Sequence, residues 1–436
     1  MYINTSATPI RGWNSYDGYG ASICEAEVLE NLDIFLQKLK PAGYEYFCLD
    51  AAWYADGGAE EWSRLAAEGK YRYMHMDAWG RYIPSPERFP SGLKKIADLC
   101  HRAGVKFGVH MMRGLPRRAV QENTPVLGTN YHARDLHDPE NDCLWCKYWA
   151  SAKADHPGTQ AFYDSEVEYL ANELEVDFIK LDDVTEHPKH VELFANAIAR
   201  VERPIVLSLS PGNEVWDGTY RAVCSFANMM RTTGDVWDED ADNLRKLERW
   251  YALESCNDPR CRLDFDMIPM GGLQVNVPQL DKASLGQSRQ SRLTAEGKRT
   301  LMTILAMTGS PLIFGGALPF TAAEDLALVT HPGMLACQRT SQVGRRMSYF
   351  RHLDIRRSVS REDEYTGWIG LFNTTGIDRL FHVSAEDLGL SVWPELTDVW
   401  TGQPVKPGTS GLWEAVIPAN GSCFWKYHIL CGRKSC

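Results

Sequence analysis

The chain has 436 residues, of which 44% are hydrophobic and 24% are charged, and its net charge is −11. This length predicts one large domain and a smaller one, and an acidic chain without a basic cluster is poorly suited to bind nucleic acid or anionic membranes. No run approaches the ~18 apolar residues of a membrane span, and the N-terminus lacks an apolar core of signal-peptide length, so we expect a cytoplasmic protein with reduced cysteines.

Strand-like apolar runs alternate with helical patterns from the N-terminus to about His331. The predicted strands are Thr8–Trp13, Gly43–Asp50, Val105–His110, Val176–Asp182, Pro204–Ser208, Ser225–Asn228, Phe265–Pro269 and Pro311–Gly315. Amphipathic helices are predicted at Glu25–Lys40, Leu93–Ala103, Phe162–Leu174, Val191–Val201 and Ala295–Met307. Eight such units indicate an α/β fold of the (β/α)8 TIM-barrel type. A doubly wound sheet is the alternative, but no Gly-rich phosphate loop follows the first strand.

The pattern changes after about Arg345. Short apolar runs separated by Gly, Pro and Asp lie at Trp368–Asn373, Leu380–Val383, Leu396–Trp400 and Gly421–Tyr427. This spacing is typical of antiparallel strands. We therefore expect a barrel domain over residues 1–340 and a small C-terminal antiparallel β-sandwich domain over residues 341–436.

The fourth predicted strand ends in a cation and a carboxylate. Lys180 and Asp182 are two residues apart, so on a strand they point to the same side. Burying either charge alone costs several kcal/mol or more. The pair is therefore either a structural ion pair or part of an active site.

Acidic or polar residues also end other predicted strands, and in a barrel all these ends meet at one pocket. The residues are Asp50, Asp182, Ser208, Ser210 and the segment from Asn228 to Asp235. Two carboxylates across such a pocket suit glycoside hydrolysis, in which one attacks and the other protonates the leaving oxygen. Lys180 and Arg231 would hold sugar hydroxyls, and the aromatic residues Tyr16 and Trp53 suit an apolar sugar face.

These residues resemble those of glycoside hydrolase family 27, the α-galactosidase and α-N-acetylgalactosaminidase family. The resemblance covers most of the predicted barrel. Its segments are Arg11-Gly-Trp-Asn-Ser-Tyr16, Ala42-Gly-Tyr-Glu-Tyr46, Leu49-Asp-Ala-Ala-Trp53, the Gly80 to Gly92 segment, Ala103-Gly-Val-Lys-Phe-Gly108, Arg231-Thr-Thr-Gly-Asp235, Asp264-Phe-Asp-Met267 and Met307-Thr-Gly-Ser-Pro311.

The resemblance implies a role for each matching residue. Asp182 corresponds to the family's nucleophile and Asp235 to its acid/base. Tyr16 takes the place of the aromatic residue that stacks on the sugar, and the residues on or beside hydroxyl-binding positions are Asp50, Lys180, Arg231 and Asp266. It further implies retention of configuration, with the two catalytic carboxyls roughly 5–6 Å apart. The substrate is then a carbohydrate, and no metal or other cofactor is needed. The oligomeric state is left open.

The chain departs from the family at the residue after Asp50. The family usually has Asp-Asp where this chain has Asp50-Ala51, so a carboxylate for the sugar's 4- or 6-hydroxyl is missing. Asp17, Asp183 or His110 could substitute for it, or the sugar could differ. One such sugar is β-L-arabinopyranose, which shares the ring stereochemistry of galactose but lacks the 6-hydroxymethyl group.

The end of the fifth strand bears on the group at C2 of the sugar. Galactose-specific members have a Glu near this point, and N-acetylgalactosamine-specific members have smaller residues. Ser208 and Ser210 occupy the region here, and Ser210 would leave room for an N-acetyl group. This favours a retaining α-N-acetylgalactosaminidase, although one small residue seldom discriminates by more than ~1–3 kcal/mol.

Two other classes of function remain open. A Schiff-base aldolase could use Lys180 as its nucleophile, but the Arg231 to Asp235 segment would then be unexplained. A sugar-binding protein could use the same scaffold without catalysis, but both proposed catalytic carboxylates are present.

Overall fold

The computed structural model describes residues 8–57, 65–211, 213–256, 258–277 and 287–430. Its largest sheet has eight parallel strands: β1 (Arg11–Asn14), β2 (Tyr46–Leu49), β3 (Lys106–Met112), β4 (Phe178–Asp182), β5 (Val206–Ser210), β6 (Met229–Arg231), β7 (Arg262–Asp264) and β8 (Leu312–Phe314). The strand order is β8-β1-β2-β3-β4-β5-β6-β7. A parallel bridge between Ile268, just after β7, and Phe314 of β8 closes the ring.

Helices connect consecutive strands and cover the outside of the barrel. They are α1 (Glu25–Ile34), α2 (Leu93–Arg102), α3 (Pro157–Asn172), α4 (Pro188–Ile198), α5 (Asp217–Val223), α6 (Asp240–Leu253), α7 (Ala295–Thr308) and α8 (Pro332–Thr340). Shorter helices lie in the connecting loops at Tyr16–Tyr19, Arg117–Glu122, Ala133–Leu136 and Ala323–Val329. No helix among the described residues is both long and apolar enough to cross a bilayer.

The alternation of side chains along each strand separates the barrel interior from the helix-covered surface. The apolar interior cluster is formed by Ile10, Tyr46, Cys48, Phe178, Val206, Met229 and Ile313. Ile179 and Leu181 belong instead to the cluster shared with the helices. Phe178 points into the barrel. Lys180 and Asp182, two and four residues further along β4, therefore point to the same side and lie nearer its carboxyl end.

Two of the predicted strands are displaced. The sixth was predicted at Ser225–Asn228, which forms a turn, and β6 begins at the next residue. The side-chain Oδ1 of Asn228 accepts the Leu207 backbone N–H at 2.9 Å, so a side chain takes the place of a ladder carbonyl. The seventh was predicted at Phe265–Pro269, but β7 ends at Asp264 because Asp266 has φ of 75°, outside the β region.

Antiparallel strands follow α8. They are β9 (Arg345–Phe350), β10 (Leu353–Val359), β11 (Thr366–Asn373), β12 (Arg379–Val383), β13 (Glu395–Asp398), β14 (Pro404–Val405), β15 (Trp413–Ile417) and β16 (Ser422–His428). Six form a sheet in the order β9-β10-β11-β16-β13-β14, and β12 pairs with β15. The two layers share an apolar core. The predicted barrel with a C-terminal antiparallel β domain is confirmed.

Candidate active site

Lys180 bridges two carboxylates at the carboxyl ends of β2 and β4, the two strands that flank β3. Its Nζ donates to Asp50 Oδ2 at 2.9 Å and lies 4.0 Å from Asp182 Oδ2. Asn14 Nδ2 also donates to Asp50 Oδ2, at 2.7 Å. Burial opposes the charge on Lys180, but Asp182 and Asp50 outweigh it and raise the pKa of Lys180 above its usual value. Lys180 is therefore an ammonium ion, not the neutral amine that a Schiff base requires.

Asp182 is held in its ionised form by its neighbours. His110 Nε2 contacts Asp182 Oδ2 at 2.9 Å, while Asp182 Oδ1 has no hydrogen-bond partner within the described ranges. Burial alone would raise the pKa of Asp182, but the Lys180 charge and His110 hold it well below its usual range. One oxygen of this half-buried carboxylate is thus fixed and the other is uncommitted.

Asp183 turns away from this carboxylate. Its φ of 58° places it in the left-handed region, and its Oδ2 accepts Arg113 Nη2 at 2.7 Å. Arg113 Nε also donates to the Asp183 carbonyl at 2.8 Å. The carboxylate of Asp183 is therefore neutralised by a guanidinium ion, and the sharp turn fixes the direction in which Asp182 leaves the strand.

Arg231 connects Asp235 to Asp266. Its Nη2 donates to Asp235 Oδ1 at 2.7 Å, and its Nη1 lies 3.5 Å from Asp266 Oδ1. The two carboxylates differ in exposure, since the Asp235 side chain is 56% exposed and the Asp266 side chain only 4%. Arg231 therefore anchors an exposed carboxylate at the rim to a buried one below it.

Both oxygens of Asp266 are used by the protein. Oδ2 accepts the Val236 backbone N–H and Oδ1 accepts the Met267 N–H, each at 2.9 Å. The Asp266 N–H in turn donates to Asp264 Oδ1 at 2.9 Å. Burial and the nearby Asp266 charge raise the pKa of Asp264 to about 7. Asp266, which the sequence assigned to hydroxyl binding, is thus bonded to the segment that carries Asp235.

The other predicted residues lie around this centre. Tyr16 is half-buried, with its ring centroid 5.5 Å from Lys180 Nζ. Ser208 and Ser210 pair in register with Lys180 and Asp182. One cavity of about 30 Å³ has Lys180, Ser208, Ser210, Arg231 and Asp266 in its lining.

Two predicted residues are more enclosed than a sugar contact suggests. Trp53 is 1% exposed, and its indole N–H donates to the His110 carbonyl at 3.0 Å. Asp17 is also buried, and its Oδ2 has no partner in the part of the chain that is described. Burial and the Asp266 charge raise the pKa of Asp17 well above its usual value.

Sequence reasoning missed three residues that position the site. Asn14 donates a hydrogen bond to Asp50, Arg113 donates one to Asp183, and Asp264 accepts one from the Asp266 N–H. Asn14 ends the first barrel strand, so the rule that gathered the other polar strand ends would have found it. The partner of Arg113 depends on the loop geometry after β3 and gave no signal in the sequence.

A possible metal-binding cluster lies away from these residues. Within the described residues, Asp98, His101 and Glu175 have ligand atoms within 4.8 Å of one another. Lys94 already contacts Asp98 and Glu175, and His101 Nε2 contacts Asp177 at 2.7 Å. The cluster is therefore neutralised by cations of the protein.

Known proteins share this architecture over the whole chain. A β-L-arabinopyranosidase of glycoside hydrolase family 27 from Geobacillus stearothermophilus is 32% identical, with a TM-score of 0.89 and coverage of 99% of this chain and 98% of that one. An α-N-acetylgalactosaminidase-like protein from Bacillus halodurans is 29% identical, with a TM-score of 0.82 and coverage of 97% and 98%. "Probable alpha-galactosidase B" of Aspergillus oryzae is 22% identical over 91% of this chain and 87% of its own length.

No protein-family model matches the chain. The barrel, its ring of carboxylates and these relatives nevertheless define a glycoside hydrolase. Identity of 32% to the β-L-arabinopyranosidase, over nearly the full length of both chains, also identifies the family. The chain belongs to glycoside hydrolase family 27.

Proposed function

We propose that this chain is a retaining glycosidase in which Asp182 is the nucleophile and Asp235 the acid/base. The observation that carries the proposal is the contrast between the two carboxylates. The Asp182 side chain is only 16% exposed, is ionised, and keeps one oxygen uncommitted. Asp235 is exposed and is held at the rim by Arg231.

The chemistry follows from those two environments. Asp182 attacks the anomeric carbon, and the glycosidic bond breaks as Asp235 donates its proton to the leaving oxygen. Asp235, now a carboxylate, takes a proton from water, which attacks the anomeric carbon and releases Asp182. Arg231 Nη2 holds Asp235 Oδ1 at 2.7 Å, so the carboxyl group stays at the rim for both steps. We expect the two carboxyl groups to lie about 5–6 Å apart, as double displacement requires.

We propose a terminal β-L-arabinopyranoside as the preferred substrate. Ala51 supplies no carboxylate for a 6-hydroxyl, and the candidate substitutes are mostly committed. Asp183 binds Arg113, and His110 binds Asp182 through Nε2. A hydroxymethyl group buried without a partner costs about 1–3 kcal/mol, whereas a pentopyranose has no such group to satisfy. The similarity to a β-L-arabinopyranosidase supports the same choice.

α-N-Acetylgalactosaminide is the second candidate, and Ser210 favours it. Ser210 Oγ is buried and has no hydrogen-bond partner in the described segments, and its Cα is in register with Asp182. A small side chain with a free hydroxyl leaves room for, and a donor to, an N-acetyl group at C2.

A substrate panel tests the proposal. The nitrophenyl β-L-arabinopyranoside, α-galactoside and α-N-acetylgalactosaminide would be compared on wild type, Asp182→Ala and Asp235→Ala. Each variant should lose about 10³-fold or more in kcat. Azide should rescue the two differently: Asp182→Ala should yield a glycosyl azide of inverted configuration, and Asp235→Ala one of retained configuration. Full activity in Asp182→Ala would refute the nucleophile, and a larger kcat/KM on the N-acetylgalactosaminide would replace the preferred sugar.

A further inference from the structure

We propose that Trp216, Glu214, Arg245 and Arg249 form a binding site for a second sugar ring on the leaving-group side, here called the Trp216 platform. The substrate would then be a glycan in which the cleaved sugar is attached to another pyranose. This inference rests on the proposed function, because it uses Asp235 as the acid/base.

The Trp216 ring is exposed but fixed. It is 61% exposed, and the Arg249 guanidinium lies 4.1 Å from the ring centroid. Arg249 is itself buried and its Nη1 donates to Glu214 Oε2 at 2.9 Å. Since the guanidinium covers one face and holds the ring by a cation–π contact, the opposite face is open to a ligand without further ordering of the side chain.

The platform is attached to the segment that carries Asp235. The Val215 N–H donates to the Thr232 carbonyl at 3.1 Å. Arg245 Nε lies 3.4 Å from Glu214 Oε1, and its Nη2 lies 3.3 Å from the Gly234 carbonyl and 3.5 Å from that of Asp235. The aromatic surface therefore adjoins the acid/base through two independent sets of contacts.

The position next to Asp235 determines which part of the substrate would lie there. An acid/base must reach the glycosidic oxygen, and the nucleophile attacks the ring from the opposite side. The group beyond the glycosidic oxygen therefore lies on the Asp235 side of the pocket, where the Trp216 platform is found.

The chemistry of the platform fits a pyranose. The apolar face of a sugar ring can stack on indole, while its hydroxyls can bond to charged groups at the edge. The Glu214 and Arg245 side chains are 42% and 34% exposed and offer an acceptor and donors beside the ring. A purely apolar aglycone could form no hydrogen bond with these charged groups.

Two substrates of the same terminal sugar separate the platform from the chemistry. One is the glycosyl fluoride, which has no aglycone. The other is the disaccharide in which that sugar is linked to the 6-hydroxyl of glucose. Wild type, Trp216→Ala, Trp216→Phe and Glu214→Gln would be compared, with melting temperatures to verify folding. Tyr251→Ala is the matched control, because Tyr251 is 53% exposed and has the guanidinium of Arg346, a residue of β9, 4.1 Å from its ring centroid.

We expect Trp216→Ala to lower kcat/KM for the disaccharide about tenfold and to leave the fluoride within about twofold of wild type. Trp216→Phe should restore most of the loss, Glu214→Gln should also affect only the disaccharide, and Tyr251→Ala should change neither substrate. If Trp216→Ala lost activity equally on both substrates, or lost none, the platform would be overturned while the proposed function stands. The same conclusion would follow if wild type cleaved the fluoride but not the disaccharide. Wild type that cleaves neither would refute the proposed function itself.

Discussion

Lys180 Nζ is 2.9 Å from Asp50 Oδ2 but 4.0 Å from Asp182 Oδ2, so the ammonium ion bonds to one carboxylate while its charge acts on both. At 4.0 Å the Lys180 charge still keeps Asp182 ionised, while the hydrogen bond to Asp182 Oδ2 is made by His110. Among the described residues neither group contacts Asp182 Oδ1, the oxygen left for the proposed attack. The Lys-x-Asp spacing on β4 is therefore matched to Asp50 at the end of β2, on the other side of β3.

Replacing Lys180 by Met should shift the acidic limb of the kcat/KM profile to higher pH. Lys180 is the largest favourable influence on the ionised Asp182, so its loss should raise the pKa of Asp182 towards or above the usual value for Asp. A pH profile from pH 3 to 8 would measure the shift. Lys298→Met, which removes a lysine paired with Asp325, is the control, and an unmoved acidic limb would contradict the role of Lys180.

Replacing His110 by Phe should reduce kcat more than it changes KM. The bond between His110 Nε2 and Asp182 Oδ2 is charge-assisted, and such bonds are worth about 1.5–3 kcal/mol, or roughly 10- to 150-fold in rate. His110→Asn could still donate to Asp182 and should recover part of the loss. Steady-state kinetics on one nitrophenyl substrate would measure both constants, and a rise in KM alone would instead make His110 a substrate contact.

Asp266→Asn should impair acid catalysis selectively. Asp266 binds Arg231 and the Val236 N–H, which flank Asp235, so the substitution should loosen the acid/base. We expect kcat/KM to fall about 10- to 100-fold for a methyl glycoside, which needs a proton donor, and far less for a dinitrophenyl glycoside. Asp354→Asn, at a buried carboxylate of the C-terminal domain paired with Arg346 and Arg356, is the matched control. Equal losses on both glycosides would indicate general disruption.

The sequence predicted the barrel better than the limits of individual strands. Apolar runs placed β4 within its predicted range and β5 within two residues of its predicted limits, because their interior and exterior residues are both largely apolar up to the pocket. It misplaced β7, because that strand contains Arg262 and Asp264 and ends before the left-handed Asp266. The limits of such a strand cannot be predicted from hydrophobic periodicity, because its charged residues are buried by tertiary contacts and its end is set by a single backbone angle.

The same distinction applies to the site. Residues at strand ends, such as Asp50 and Asp182, could be predicted because the topology brings strand ends together. The contacts of Asp266 could not be predicted, because its bonds to Val236 and Arg231 depend on how the loops after β6 and β7 meet.

Glu166 should make the protein less stable as the pH rises. Its carboxyl is buried on α3, neither oxygen has a hydrogen-bond partner in the described ranges, and burial raises its pKa to about 8. Below about pH 4.5 the carboxyl is protonated in both states, so it contributes no pH dependence there. Between about pH 4.5 and 8 the unfolded chain ionises first, so unfolding becomes progressively easier.

Glu166→Gln removes this titration and should therefore flatten the dependence of the melting temperature on pH between pH 5 and 8. Glu168→Gln, at an exposed position of the same helix, is the control and should retain the wild-type slope. Parallel curves for wild type and Glu166→Gln would show that the carboxyl is not protonated in the folded state.

Ala51→Asp should move the specificity from the pentopyranoside towards the galactoside. Ala51 is half-buried beside Asp50, to which its N–H donates at 2.8 Å, so an added carboxylate would lie where a 6-hydroxyl could reach it. One such hydrogen bond discriminates by about 1–3 kcal/mol. The ratio of kcat/KM for the nitrophenyl α-galactoside to that for the β-L-arabinopyranoside should therefore rise about tenfold.

The added charge also repels Asp50, so the activity on the arabinopyranoside should fall. Ala51→Asn, which has nearly the same size without the charge, separates the two effects: it should raise the ratio less and spare the arabinopyranoside. If Ala51→Asp left the ratio unchanged, the absence of a carboxylate at this position would not explain the choice of sugar.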